Sequence, residues 1–467
     1  MRKEIDQEVG LIGLGVMGQG IALNLTQHGC QAFVYDKDQE KMRKLAERAD
    51  QTKIHPKQSL SALVDAIKRP RTIMLLVRAG EETDHVIEEL VALLEAQDTI
   101  VDLGNSHYQD TERREARLAR QGIRFLGTGI SGGEKGAEKG PAIMAGGNES
   151  AWQDLKKLFS AIAASGSHEK PCCDYFGTGG AGHFVKMVHN GIEYGYMEVI
   201  SEIYLLAKTY YGLETSQMAG VFREFSQDER VSSYLIEITA KILEKIDQDT
   251  GRPLIEWIAD IAGNKGTGKW TSQAALELGV SVPVLTEALY ARYHSAEPRQ
   301  KTQKSQAATG NFDDKAMSEL RQALEFGQYL CFENGLKLIQ KAATAQHWNM
   351  DLAALLETWE NGCIIRTRFS ETIKHACQRN KGMASLLEDQ KIAGILERDL
   401  TSAKTVLWKA CQSNVPLFCL SAALQYYTAY HSSQLPTVMV QAQRDFFGAH
   451  TYQRIDKKGT FHTKWEE

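Results

Sequence analysis

From residue 9 to residue 180 the chain alternates short apolar runs with amphipathic stretches. Residues 9–12, 32–35, 72–77 and 99–103 are mostly apolar and of strand length, and 123–126 and 142–145 continue the series. Runs of this kind, bounded by polar turns, read as strands buried on both faces. Segments such as 18–28 and 81–94 carry helical spacing between them. Strands alternating with helices predict an α/β, Rossmann-like domain with a mostly parallel, doubly wound sheet. Past residue 182 the period changes. Residues 184–211, 234–245, 317–345 and 391–414 repeat apolar positions at helical spacing, and strand-like alternation almost vanishes. This predicts a large all-α domain. From about residue 435 the pattern breaks again, ending in a short polar tail. The expected division is 1–179, 180–436 and 437–467.

Composition narrows the class. The 467 residues fit three domains of ~150 residues, and 43% hydrophobic with 24% charged residues is ordinary for a globular chain. A net charge of −5 disfavours a broad basic surface for nucleic acid. Eight cysteines form no Cys-x-x-Cys pair and read as reduced thiols. Met1 to Asp6 carry acids where a secretion signal has its apolar core. No apolar run approaches the ~18 residues of a membrane span. A soluble, cytoplasmic protein is expected, with no membrane partner.

The first apolar run leads into Gly13-Leu14-Gly15-Val16-Met17-Gly18 and then a helix-like stretch. Gly-x-Gly-x-x-Gly between strand and helix is a dinucleotide fingerprint. Gly13 serves the tight turn, Gly15 the approach of backbone to pyrophosphate, and Gly18 the packing of helix on strand. The helix N-terminus then offers amide donors to phosphate. The second strand ends in Asp36-Lys37-Asp38. A carboxylate at the first of these positions accepts ribose hydroxyls and repels a 2′-phosphate, which leans toward NAD. Lys37 partly offsets that charge.

At the start of the helical half, Lys186, His189, Asn190, Glu193 and Tyr194 fall at i, i+3, i+4, i+7 and i+8. All five project from one helix face. A solvated face is the plain explanation, but Gly182 and Gly191 leave room for something to approach. Lysine and carboxylate on one face also form a natural acid–base pair. Gly263-Asn264-Lys265-Gly266-Thr267-Gly268-Lys269-Trp270 nearly spells an ATPase phosphate loop. Trp270 stands where a Ser or Thr would bind magnesium, and residues 254–262 before it read as helix rather than strand. A glycine-rich, anion-binding loop remains. No clustered metal-ligand set is evident, and no metal is expected.

These segments closely resemble the 6-phosphogluconate dehydrogenase family. The likeness runs nearly end to end. It includes the fingerprint, Leu75-Leu76-Val77-Arg78-Ala79-Gly80, Gly104-Asn105-Ser106 and Gly129-Ile130-Ser131-Gly132-Gly133-Glu134. It continues through residues 182–195, the Lys265 loop, Gly362-Cys363-Ile364-Ile365-Arg366 and residues 441–452. The resemblance implies a homodimeric enzyme of the pentose phosphate pathway whose C-terminal tail enters the partner's substrate site. It implies oxidative decarboxylation of 6-phosphogluconate with NADP as the usual cofactor. By the same likeness Lys186 is general base and then acid, and Glu193 protonates C1. Asn105, Ser131, Gly132, Gly133, His189 and Asn190 match the positions that hold the sugar acid. Tyr194, Lys265, Thr267 and Arg292 match its phosphate site, with Arg444 and His450 contributed by the partner subunit. Glu134 falls near the nicotinamide, and Val77 and Ala79 near the cofactor.

Departures from the family are also visible. Asp36-Lys37-Asp38 replaces the usual Asn-Arg-Thr, so NAD preference or relaxed discrimination is expected. Asp102-Leu103-Gly104 replaces Asp-Gly-Gly, and Glu360-Asn361 replaces Arg-Gly. Another β-hydroxyacid dehydrogenase, such as a 3-hydroxyisobutyrate type, would share the fingerprint and lysine. At ~300 residues it would not need the second helical half or the tail. A non-catalytic nucleotide-sensing relative would not need both Lys186 and Glu193.

Overall fold

The alternating half of the chain forms one eight-stranded sheet in a computed structural model that describes residues 5–48, 50, 52–299 and 310–466. Met1 to Glu4, part of the N-terminal stretch read above, lie outside the described residues. The strands are β1 (Glu8–Ile12), β2 (Gln31–Tyr35), β3 (Ile54–Pro56), β4 (Thr72–Leu75), β5 (Thr99–Asp102), β6 (Arg124–Ser131), β7 (Ala142–Gly147) and β8 (Cys173–Tyr175). Their order is β3-β2-β1-β4-β5-β6-β7-β8. Every neighbouring pair is parallel except β6 with β7. Ile12 is level with both Tyr35 and Leu75, so the chain order reverses beside β1. Loops leaving β1 and β4 therefore diverge and open a crevice at the strands' C-terminal ends. β4 and β5 are buried at every position, as strands covered on both faces must be. β3 and β8, three residues each, carry too little pattern to be read from sequence.

Two long helices organise the second half. Ala181–Thr209 is 29 residues long and buried around most of its circumference, so its sequence shows little amphipathic contrast. Asp314–Gln346 crosses it antiparallel: Gly335 lies against Ile192, and Gly327 against Val199. The expected helical stretches appear as Tyr234–Glu244, Asp314–Gln346 and Gln390–Gln412. Their starts are set by Ser233, Asp313 and Asp389, whose side chains accept first-turn amides.

Residues 254–262 do not form the helix expected of them. Leu254–Trp257 makes one short 3₁₀ turn, and the following residues run as an open segment. Trp257, Ile258 and Ile261 are 55–63% exposed there, so no packed face draws the segment into a helix. The end of the chain, by contrast, gains a helix, Thr437–Gly448, and a short hairpin of Tyr452–Gln453 with Thr460–Phe461. All eight cysteines are free thiols. Among the described residues no helix is long and apolar enough to cross a membrane.

Candidate active site

The fingerprint forms the turn that its spacing predicts. Gly13 has φ +94°, and a Cβ there would lie 2.5 Å from the Leu76 carbonyl oxygen. A Cβ on Gly18 would lie 2.0 Å from the Gly13 oxygen, so helix Val16–Gln27 can pack this closely only through glycine. A Cβ on Gly15 would meet nothing within 4 Å. That open side faces a cleft of about 390 Å³ lined by Gly13, Gly15, Asp36, Lys37, Leu76 and Val77, among others. The cleft lies at the sheet's reversal and has the shape and donors a dinucleotide needs. Asp36 forms part of its floor. One carboxylate oxygen accepts the Leu14 amide at 2.7 Å and the other the Asp38 amide at 2.8 Å. Lys41, which the sequence reading did not single out, approaches Asp36 to 3.4 Å.

The polar stripe lies on the Ala181–Thr209 helix and is buried rather than solvated. Lys186 is 6% exposed, and its stem rests on Gly129 of β6, where a Cβ would come within 2.2 Å of the Lys186 Cβ. His189 bridges the stripe to the sheet. Its Nε2 is 3.2 Å from Ser131 Oγ, and its Nδ1 is 3.4 Å from Lys186 Nζ and 3.2 Å from Asn190 Oδ1. Glu193 Oε2 is 3.9 Å from the same Nδ1, with its side chain 23% exposed at the mouth.

Burial acts on these groups in opposite directions. It pushes the Lys186 ammonium below the usual lysine range, although the Glu193 carboxylate pulls the other way. It raises the Glu193 carboxyl, against the Lys186 and Arg292 charges. His189 is held well below its ordinary value by burial and by Lys186, so the ring is neutral. A base made easier to deprotonate and an acid made harder to ionise share one face, the arrangement acid–base chemistry uses.

The remaining predicted groups surround this face. Gly132 (φ +136°) and Gly133 begin a short helix that carries the exposed Glu134. Ser131 Oγ also accepts the Ile364 amide at 3.4 Å. Tyr194 meets the Lys265 amide at 3.4 Å, and the Arg292 guanidinium lies 3.4 Å from the centre of its ring. Gly266 caps helix Thr267–Glu277, so Thr267 stands at a helix N-terminus and Lys265 points into solvent. Asn105, Val77 and Ala79 lie on the loops after β5 and β4. Arg444 and His450 stay with the tail: Arg444 bonds Gln441, and His450 packs edge-on to Phe447.

Sequence reasoning did not assign Cys363 and Trp359. The Cys363 thiol is bonded to the Trp359 carbonyl, and burial pushes it up to about 12, so it stays neutral beside Lys186. The Trp359 ring lies edge-on to His189 at 5.5 Å. Cys363 was visible only as part of the Gly362–Arg366 motif. The Glu360-Asn361 departure is accommodated locally: Glu360 accepts the Ser167 amide and pairs with Lys374, while the Asn361 side chain bonds the Ser165 carbonyl.

A reversing parallel sheet with a glycine-rich turn, joined to a buried Lys–Glu helix face, defines a nicotinamide-dependent oxidoreductase. Comparisons with known proteins carry this further. Residues 8–177 match the NAD binding domain of 6-phosphogluconate dehydrogenase, and 182–465 match its C-terminal domain. The chain belongs to the 6-phosphogluconate dehydrogenase family. It is 41% identical to the NADP(+)-dependent, decarboxylating 6-phosphogluconate dehydrogenase of Bacillus subtilis, over 98% of this chain and 99% of that one. It is 42% identical to the decarboxylating enzyme of Mus musculus, over 98% and 96%. The solved Plasmodium falciparum 6-phosphogluconate dehydrogenase, studied in its apo form and with NADP+ or 6-phosphogluconate, superposes with a TM-score of 0.93 at 35% identity. That match covers 98% of this chain and 100% of the other.

Proposed function

We propose that this chain's oxidative decarboxylation of 6-phosphogluconate to ribulose 5-phosphate and CO2 runs on Lys186 and Glu193. The observation that carries the assignment is their shared helix face with oppositely shifted proton affinities. When bound, the nicotinamide supplies the acceptor for the hydride leaving C3. Lys186, whose ammonium burial makes easier to deprotonate, takes the proton of the C3 hydroxyl as the free amine. As an ammonium it then donates to the new carbonyl oxygen, which lets the β-keto acid lose its carboxylate as CO2. Glu193, whose carboxyl burial makes harder to ionise, delivers a proton to C1 of the enediol. Ser131, Gly132, Gly133, Asn105, His189 and Asn190 hold the acid and its hydroxyls. Tyr194, Lys265, Thr267 and Arg292 receive the phosphate.

Arg444 and His450 complete that phosphate site from a second subunit, in a homodimer with exchanged tails. The support is what the tail lacks at home. Helix Thr437–Gly448 buries only Asp445, leaving Val438, Met439, Phe446 and Phe447 54–73% exposed. Trp257, Ile258 and Ile261, just before Lys265, are similarly bare. On this reading residues 1–179 hold the cofactor, 180–436 the substrate and the dimer contact, and 437–467 reach the partner.

The cofactor is a nicotinamide dinucleotide, chiefly NADP in this family. In this chain discrimination against NAD is weak. Asp36 is pinned by two backbone amides and cannot turn its charge away from the ribose end of the cleft. Lys37 and Lys41 compensate only in part. Assaying 6-phosphogluconate with NAD and NADP in parallel, with CO2 release measured, tests both points. Turnover with comparable kcat/KM for the two cofactors is expected. No CO2 release refutes the reaction, and a strong NADP preference refutes the role of Asp36.

A further inference from the structure

We infer that Arg114 is a positioning residue of the active site, joining both cofactor-side loops to the helix that bears Lys186. The inference rests on the placement of Asn105 and Lys186 in the site, as proposed above. Arg114 lies on helix Tyr108–Ala119 and is 2% exposed. Its guanidinium is spread over several acceptors. Nε donates to Asp84 Oδ1 at 2.8 Å, and one terminal nitrogen donates to the Gly80 carbonyl at 3.1 Å. The other reaches Ser106 Oγ at 3.2 Å and Asp102 Oδ2 at 3.5 Å.

Gly80, Asp102 and Ser106 each hold something the reaction needs. Gly80 ends the loop that carries Val77 and Ala79. Asp102, at the end of β5, accepts the Gly104 amide on one oxygen (2.9 Å) and the Ser106 hydroxyl on the other (2.6 Å). Asn105 is thereby flanked by two residues tied to one buried carboxylate, while Asn105 itself is exposed. The Asp102 carbonyl lies 3.1 Å from His183 Nε2. His183 Nδ1 in turn lies 2.7 Å from Thr111 Oγ1, on Arg114's own helix. His183 sits one turn before Lys186. The network therefore runs from the cofactor-side loops, through Asp102 and His183, to the catalytic helix.

Stability alone is a poor reason for a buried guanidinium, because an apolar side chain of similar volume is often as stable as a buried ion pair. What the planar fork adds is direction, since its donors fix several backbone segments relative to one another. Hydride transfer requires reacting atoms ~3–3.5 Å apart, and an error of 1 Å costs on the order of 10²-fold in rate. Arg114 holds together the segments whose separation sets that distance.

The test uses Arg114→Met and Ser106→Ala, the second being a mild change that leaves the guanidinium in place. Both are assayed with 6-phosphogluconate and with the same substrate deuterated at C3. Expected for Arg114→Met is a fall in kcat of about 10- to 100-fold, with a larger primary isotope effect. Cofactor affinity by fluorescence titration should stay within about threefold, because the pyrophosphate turn is untouched. Ser106→Ala should move kcat and isotope effect the same way by a smaller factor, and it decides the matter if Arg114→Met does not fold. A folded Ser106→Ala enzyme with unchanged kcat and isotope effect overturns the inference, as does an Arg114→Met enzyme that loses only thermal stability. Asn105→Ala separates the two ways of failing. Lost turnover there beside silent Arg114 and Ser106 variants overturns the coupling alone; a silent Asn105→Ala overturns the site assignment and the coupling with it.

Discussion

The face bearing Lys186 and the tail bearing Arg444 are both candidate pieces of one site, yet they are built in opposite ways. The first is set into the most buried helix of the protein, between β6 and the long Asp314–Gln346 helix. Its polar groups satisfy one another, and desolvation tunes them. The second has almost no core. It is held by one carboxylate: Asp445 accepts the Thr451 amide and His462 on one oxygen, and the Thr463 amide and Trp465 indole on the other. Proton chemistry requires a low-dielectric setting that a single chain can provide. Phosphate capture requires placed cations that can stay wet.

That contrast can be broken at either end. The largest effect belongs to the buried face: Lys186→Ala should cut turnover about 10³-fold or more while leaving cofactor binding by fluorescence titration unchanged. Next is the tail. Arg444→Ala should raise KM for 6-phosphogluconate about 10- to 100-fold, the value of one charge-assisted contact, with little effect on unphosphorylated gluconate. Mixing Arg444→Ala with Lys186→Ala subunits should restore activity through hybrid dimers; inactive hybrids would show that the tail serves its own chain.

A subtler effect follows from the coupling of Lys186 and Glu193. Activity falls at low pH as Lys186 becomes protonated, and the negative charge of Glu193 holds that limb higher than burial alone would. Glu193→Gln removes the attraction, so the acid limb of the residual kcat/KM profile should move to lower pH. A limb that stays fixed or rises would refute the pairing. The smallest change is Asp36→Asn, worth about 1 kcal/mol or roughly fivefold in the NADP-to-NAD ratio of kcat/KM. An unchanged ratio would show that the carboxylate does not act on the ribose.

Much of this arrangement is legible in the chain itself. The glycine spacing at 13, 15 and 18 implies strand, turn and helix, because each position admits no side chain or borders open space. The Lys186 stripe follows from the 3.6-residue period. Other features escaped notice for definite reasons. Strands β3 and β8 are too short for a pattern. Residues 254–262 have helical composition but no surface of their own chain to pack on, and residues past 435 turned helical though their pattern had looked broken. Trp359 and Cys363 enter the site through contacts that no local spacing encodes, and Lys41 through a contact with Asp36 five residues away that no motif marks.

The sequence by itself therefore determined most of the elements, the dinucleotide turn, the shared helix face and the family. Local backbone preference and periodicity act over a few residues, and specific motifs survive as strings. Only the tertiary structure decided that the polar stripe is buried, which turns a solvated row into a base and an acid with displaced proton affinities. It alone brought Arg114, Asp102 and His183 into one network, and it alone left the tail's apolar face uncovered. Desolvation and long-range hydrogen bonds depend on neighbours far away in the chain, and those become neighbours only on folding.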